Sequence, residues 1–197
     1  MNDLPFGDQD DWRIAFIDVE TTGVVPGYHE MVDVGIVMAD VDGNEIGKFF
    51  QRIMPEHPER AQKGASDCNG FSIERWKREG AVTPEKAVEG IIEFYGSTAK
   101  GKNVILCAYN VSFDNAFMDH LFRSVGKDLR KLHRYALDLP SMAWGKGLQH
   151  LYQKKIVQSL GVKDEPRASK GDAPWEHTGI TGAELNLRIY QALLNSG

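Results

Sequence analysis

The stretch Asp18-Val19-Glu20-Thr21-Thr22-Gly23 follows the apolar run Ile14-Ala15-Phe16-Ile17, and its reading decides what kind of chain this is. The run predicts a buried strand over Arg13 to Asp18. Side chains alternate along an extended backbone, so Asp18 and Glu20 fall on the same side of the sheet. Two carboxylates so placed repel each other unless positive charge sits between them. A divalent cation is the usual answer, because hard cations take carboxylate oxygens and keep positions open for water and phosphate. Taken alone, the pair is better read as ordinary strand-end charges before a Thr-Thr-Gly turn.

A second segment about ninety residues on shifts that balance. There the apolar run Val104-Ile105-Leu106-Cys107-Ala108 leads into Asn110-Val111-Ser112-Phe113-Asp114, where a helix is expected to begin. The two segments resemble the first two motifs, Asp-x-Glu-x-Thr-Gly and Asn-x-x-Phe-Asp, of the DnaQ-like (DEDD) superfamily of 3′-5′ exonucleases. A third region, His177-Thr178-Gly179-Ile180-Thr181-Gly182-Ala183-Glu184, is similar to the closing motif of the histidine subgroup. The resemblance spans nearly the whole chain and implies an RNase H-like α/β fold: a mixed five-stranded sheet, an antiparallel meander plus parallel strands, flanked by helices.

It also implies a chemistry, phosphodiester hydrolysis by two divalent ions, Mg²⁺ or Mn²⁺, held about 4 Å apart. Asp18, Glu20 and Asp114 are the implied metal ligands, with Asp18 bridging the ions. His177 is the implied general base, a task suited to a side chain titrating near neutrality. The family's last motif carries an aspartate five residues after the histidine, and this chain has Gly182 there. Glu184 is the nearest substitute ligand. Thr181 to Glu184 also reads as a capping box, however, and a residue two steps along a helix points roughly 200° away. Asp172 and Glu176 are further candidates. The gap sustains a second reading, an impaired module that binds nucleic-acid ends without cutting them.

Substrate contacts are expected from Thr21, Thr22 and Gly23 where the chain leaves the strand, from Asn110, and from Phe71, whose segment resembles the family's loop after the third strand and is expected to stack on a base. Asp138 is expected to support the site or cap the next helix. The other histidines have no motif context. The expected partner is the 3′ end of a single-stranded nucleic acid. The sequence leaves DNA and RNA open, and the resemblance allows a homodimer.

Composition agrees. The chain has 197 residues, 42% of them hydrophobic and 26% charged, which suits one catalytic domain with a flexible tail over residues 1–11. No apolar run is long enough to cross a bilayer, no secretory signal is visible, and two cysteines make no disulfide framework, so a cytoplasmic location is expected. The net charge of −5 is unevenly spread. Residues 1–45 hold eleven acidic side chains against Arg13 alone, whereas residues 123–155 hold eight basic against two acidic, a segment suited to a phosphate backbone.

Three strands are expected over Arg13 to Asp18, Met31 to Asp40 and Glu45 to Ile53. A loop follows, then a helix capped by Ser72 and a longer helix opened by Thr83-Pro84. The expected second half runs strand (Asn103 to Ala108), helix capped by Ser112, short strand (Tyr135 to Asp138), helices Leu139 to Trp144 and Leu148 to Leu160, a loop, and a last helix Gly182 to Leu194.

Overall fold

The computed structural model describes residues 9–163 and 177–196. Its strands are β1 (Trp12–Thr21), β2 (Met31–Ala39), β3 (Glu45–Arg52), β4 (Asn103–Ala108) and β5 (Tyr135–Asp138). They form one sheet in the order β3-β2-β1-β4-β5. β1 pairs antiparallel with β2 and parallel with β4, and β5 joins β4 in parallel. This is the mixed five-stranded sheet expected from the sequence, with the strand of the first carboxylate motif at its centre.

The helices are α1 (Lys63–Asn69), α2 (Ile73–Arg78), α3 (Pro84–Ala99), α4 (Val111–Ser124), α5 (Leu139–Gly145), α6 (Gln153–Ser159) and α7 (Gly179–Asn195). Two apolar layers fix them to the sheet. On one face Ala15, Ile17, Val34 and Ile36 pack against Val88 and Ile91 of α3 and Phe117 and Leu121 of α4. On the other, Ile14, Phe16 and Val37 pack against Leu187, Ile189 and Leu193 of α7, with α5 and α6 alongside. Alternation along β1 sends Ile14, Phe16, Asp18 and Glu20 to the α7 face. Residues opposite one another in an antiparallel pair share a face. The register Asp18↔Gly35 and Glu20↔Asp33 therefore puts Gly35 and Asp33 on that face too.

Several local expectations change. α1 occupies part of the segment read as loop; it is short and lacks an apolar stripe. Ser72 and Thr83 cap as expected, their side chains accepting from Arg75 N–H and Lys86 N–H. Ser112 does not cap α4, because Asn110 takes the N-cap in the left-handed region at φ 61°. Ile92 of α3 is 38% exposed, although apolar spacing alone would place it beside Val88 and Ile91. α6 begins only at Gln153, and residues 148–152 ahead of it are not helical. Residues 9–11 form a 3-10 turn, while the rest of the expected tail and the loop carrying Asp172 and Glu176 lie outside the described residues. Among the described residues no helix is long and apolar enough to cross a membrane.

The first turn of α7 meets the sheet at backbone contact. A β-carbon at Gly35 would collide with the main chain of Gly179 and Ile180, and one at Gly179 would collide with the main chain of Asp18 and Gly35. Gly35→Ala is expected to destabilise the fold by about 1–3 kcal/mol, the usual cost of overpacking. Urea unfolding checks this: the midpoint should fall while the slope stays unchanged.

Candidate active site

The C-terminal end of β1 extends beyond its parallel neighbour. Pairing with β4 ends at Phe16↔Cys107, leaving the last residues of β1 open on that side. The opening is filled by the first turn of α4, where Asp114, only 3% exposed, accepts a hydrogen bond from Val19 N–H at 3.1 Å. The second-motif carboxylate is thus tied to the backbone between the two first-motif carboxylates. Asp18 and Glu20 are half-buried on the α7 face. His177, just ahead of α7, brings its Nδ1 to 3.3 Å from Glu20 Oε1. Ligand atoms of Asp18, Glu20 and His177 all lie within 4.8 Å of one another, a donor set that suits a divalent cation.

The turn after β1 is held from below. Thr21 Oγ1 donates to Gly23 O at 2.7 Å, and Thr22 Oγ1 accepts from Glu30 N–H at 2.9 Å. Both threonines are buried, so their hydroxyls shape the turn. The sequence had suggested them as contacts to a terminal nucleotide. Gly23 is where the His29 ring packs, with no room for a β-carbon, and His29 Nδ1 accepts from Val25 N–H at 3.0 Å. Asn69, at the end of α1, donates from Nδ2 to Thr21 O at 3.0 Å, and Gln62 N–H donates to Thr22 O at 2.7 Å.

Phe71 is only 9% exposed and packs edge-on against Trp76, ring centroids 5.2 Å apart. Its expected stacking role therefore gives way to a core one. Asn110 is exposed, and its Oδ1 accepts from Ser112 Oγ. Asp138 supports the site from behind: one oxygen accepts from Val111 N–H and the other caps α5 through Ser141 N–H.

The family model described as Exonuclease (RNase_T) matches residues 15–167. The chain belongs to the exonuclease family. A curated relative, the 3′-5′ DNA exonuclease Cap18 of Escherichia coli, is 29% identical over 170 residues, covering 86% of this chain and 87% of that protein. The zinc ion bound form of the E. coli exonuclease I complex with single-stranded DNA superposes with a TM-score of 0.75 at 15% identity, over 93% of this chain and 40% of that one. E. coli exonuclease I in complex with a 5cy-dT13 oligonucleotide gives a TM-score of 0.73 at 15% identity, again over 93% and 40%. At that identity the likeness is one of fold, and this chain spans about four tenths of the exonuclease I chains.

Two positions in this exonuclease-family site depart from the sequence reading. α7 begins at Gly179 with Thr178 as N-cap, three residues earlier than expected, so Thr181 to Glu184 is helix interior and not a capping box. Glu184 pairs with Lys48 of β3 at 2.9 Å, on the outer strand and away from Asp18. Gly182 lies directly against Asp18, and a β-carbon there would collide with the Asp18 carboxylate. Asp33, Asn69 and His29 were missed as supports. Asp33 is a charged residue in an otherwise apolar strand, a signal that could have been read; the other two are recognisable only once the turn is folded.

Burial raises Asp18 well above the ordinary carboxylate range, and the negative charges of Asp114, Glu20 and Asp33 add to the rise. Burial likewise pushes Asp114 up to about 8, against the opposing pull of backbone hydrogen bonds including that from Val19. Without metal, Asp114 therefore holds a proton at neutral pH that the unfolded chain releases near pH 4, and Asp18 is shifted in the same direction. The folded state binds more protons over that interval, so these groups make stability fall as pH rises from about 4 through about 8. Metal-free protein is expected to unfold at lower urea at pH 8 than at pH 5, with a weaker dependence in Asp114→Asn. Mn²⁺ binding at pH 7 is expected to release protons, measured by calorimetry in buffers of different ionisation enthalpy.

Proposed function

We propose that this chain is a metal-dependent 3′-5′ exonuclease that shortens single-stranded DNA from its 3′ end. The observation that carries this reading is the convergence of Asp18, Glu20 and His177 at the open end of the central strand, with Asp114 bonded to the backbone between them. The choice of DNA and of polarity rests on the relative described as a 3′-5′ DNA exonuclease and on the exonuclease I structures solved with DNA oligonucleotides.

Asp18, Glu20 and Asp114 would hold the cations, Asp114 giving up its proton as it does so. Divalent ions bound there would polarise the scissile phosphate and lower the pKa of the attacking water. His177 has the remaining task. If Nδ1–H is donated to Glu20, the tautomer is fixed and the lone pair stays on Nε2, where it can take a proton from the water. Glu20 in turn keeps the ring oriented. The water's oxygen then bonds to phosphorus, the bond from phosphorus to the 3′ oxygen breaks, and a 5′ mononucleotide leaves. With Gly182 in place of the family's aspartate, the described residues supply three carboxylates to the site, and weaker metal binding follows.

Cleavage of 5′-labelled single-stranded DNA and RNA in Mg²⁺ and in Mn²⁺ tests the reading. A ladder shortening from the 3′ end is expected, faster on DNA, and absent in Asp18→Asn. His177→Ala is expected to lower kcat by about 10²–10⁴-fold. Retained strand binding without cleavage by the unaltered chain would establish the alternative, a module that captures ends. Gly182 against Asp18 is the observation that keeps that alternative in view.

A further inference from the structure

The N-terminus of α7 is capped by another strand. Thr178 occupies the N-cap position, yet its side chain makes no capping bond. The N–H of Gly179, first residue of the helix, instead donates to Asp33 Oδ1 of β2 at 2.8 Å. Asp33 is fully buried and lies across the strand pair from Glu20. A carboxylate at this position also meets the positive end of the helix dipole.

Asp33 is itself braced. Its second oxygen faces the Arg52 guanidinium at 3.7 Å, and Arg52 also binds Glu79 at 2.8 Å. The guanidinium lies over the Trp76 ring at 4.7 Å, and Trp76 Nε1–H donates to Val32 O at 2.7 Å. A chain of contacts thus runs from the start of α7 through Asp33 and Arg52 to α2. Its free end is His177, two residues before Gly179 and reaching Glu20 at 3.3 Å.

We propose that Asp33 is a positioning residue for the exonuclease reaction: by accepting the Gly179 N–H it fixes where α7 starts and so sets His177 over Glu20. The proposal rests on the exonuclease reading and adds to it a residue outside the three motifs. Asp33 is fully buried, with no surface to offer a substrate. Its effect passes through the backbone of residues 177–179, and misplacing a catalytic group by about 1 Å is enough to cost about a hundredfold in rate.

A double-mutant cycle on the full chain tests this, with 3′-end trimming of single-stranded DNA as readout and melting temperature as the control for folding. Asp33→Ala is expected to lower kcat by about thirty- to a hundredfold with KM little changed. In a His177→Ala background the same substitution is expected to have at most about a threefold further effect, from the loss of Asp33's charge near Asp18, because there is no imidazole left to place. Asp33→Asn keeps an acceptor for Gly179 N–H and is expected to retain kcat within about threefold of the unaltered chain. If Asp33→Ala does not fold, Asp33→Asn decides. A folded Asp33→Asn as slow as His177→Ala would overturn the role, as would equal losses from Asp33→Ala with and without His177. Amide exchange at Gly179 provides an arm that needs no cleavage: protection should be kept in Asp33→Asn and lost in Asp33→Ala. Unchanged protection in Asp33→Ala overturns the proposal, whereas an unaltered chain that trims no DNA overturns the exonuclease reading and the positioning role with it.

Discussion

A helix can rest on a sheet at backbone distance only where neither surface carries a β-carbon, and that constraint organises this molecule. Gly35 on β2 and Gly179 and Gly182 on α7 meet around the backbone and side chain of Asp18. Everything at the functional end follows from how far α7 can sink. Its depth brings the preceding His177 to Glu20, lets Asp33 reach a helix N–H, and leaves no volume beside Asp18 for a further side chain. The apolar contacts of Leu187, Ile189 and Leu193 farther along the helix supply adhesion, but the glycines set the distance.

The same proximity concentrates charge. Asp18, Glu20, Asp114 and Asp33 gather around the end of one strand, and among the described residues the cation nearest to them in the contact network is Arg52, which is bound to Asp33 and Glu79. Among the described residues nothing with fixed positive charge answers Asp18 and Asp114 directly, so their repulsion is relieved by protons or by a cation from solution. A site built this way trades electrostatic comfort for affinity toward divalent ions.

Much of this was legible in the sequence because it is local. Apolar runs of strand length ended in carboxylates, and Thr83-Pro84 announced a helix. The resemblance then supplied the mixed five-stranded sheet. What could not be read depends on distances across the fold. Glu184 was a plausible substitute ligand until the helix start moved to Gly179 and turned it toward Lys48. Phe71 looked free to stack until α1 and α2 folded it under the turn against Trp76. Asp33 had no motif, and its meaning appears only with a partner 146 residues away. α1, held mainly by its bonds to the Thr21-Thr22 backbone, carries no periodicity of its own.

The contact between Gly182 and Asp18 has a historical side. A chain that once carried a carboxylate at this position and lost it could let the helix settle into the vacated space, after which the original residue no longer fits. Reversion would then require the helix to lift away before the returning side chain could be of use, and each step alone would be a loss. On that history the packing acts as a ratchet, because the position beside Asp18 has no room for the side chain that would return.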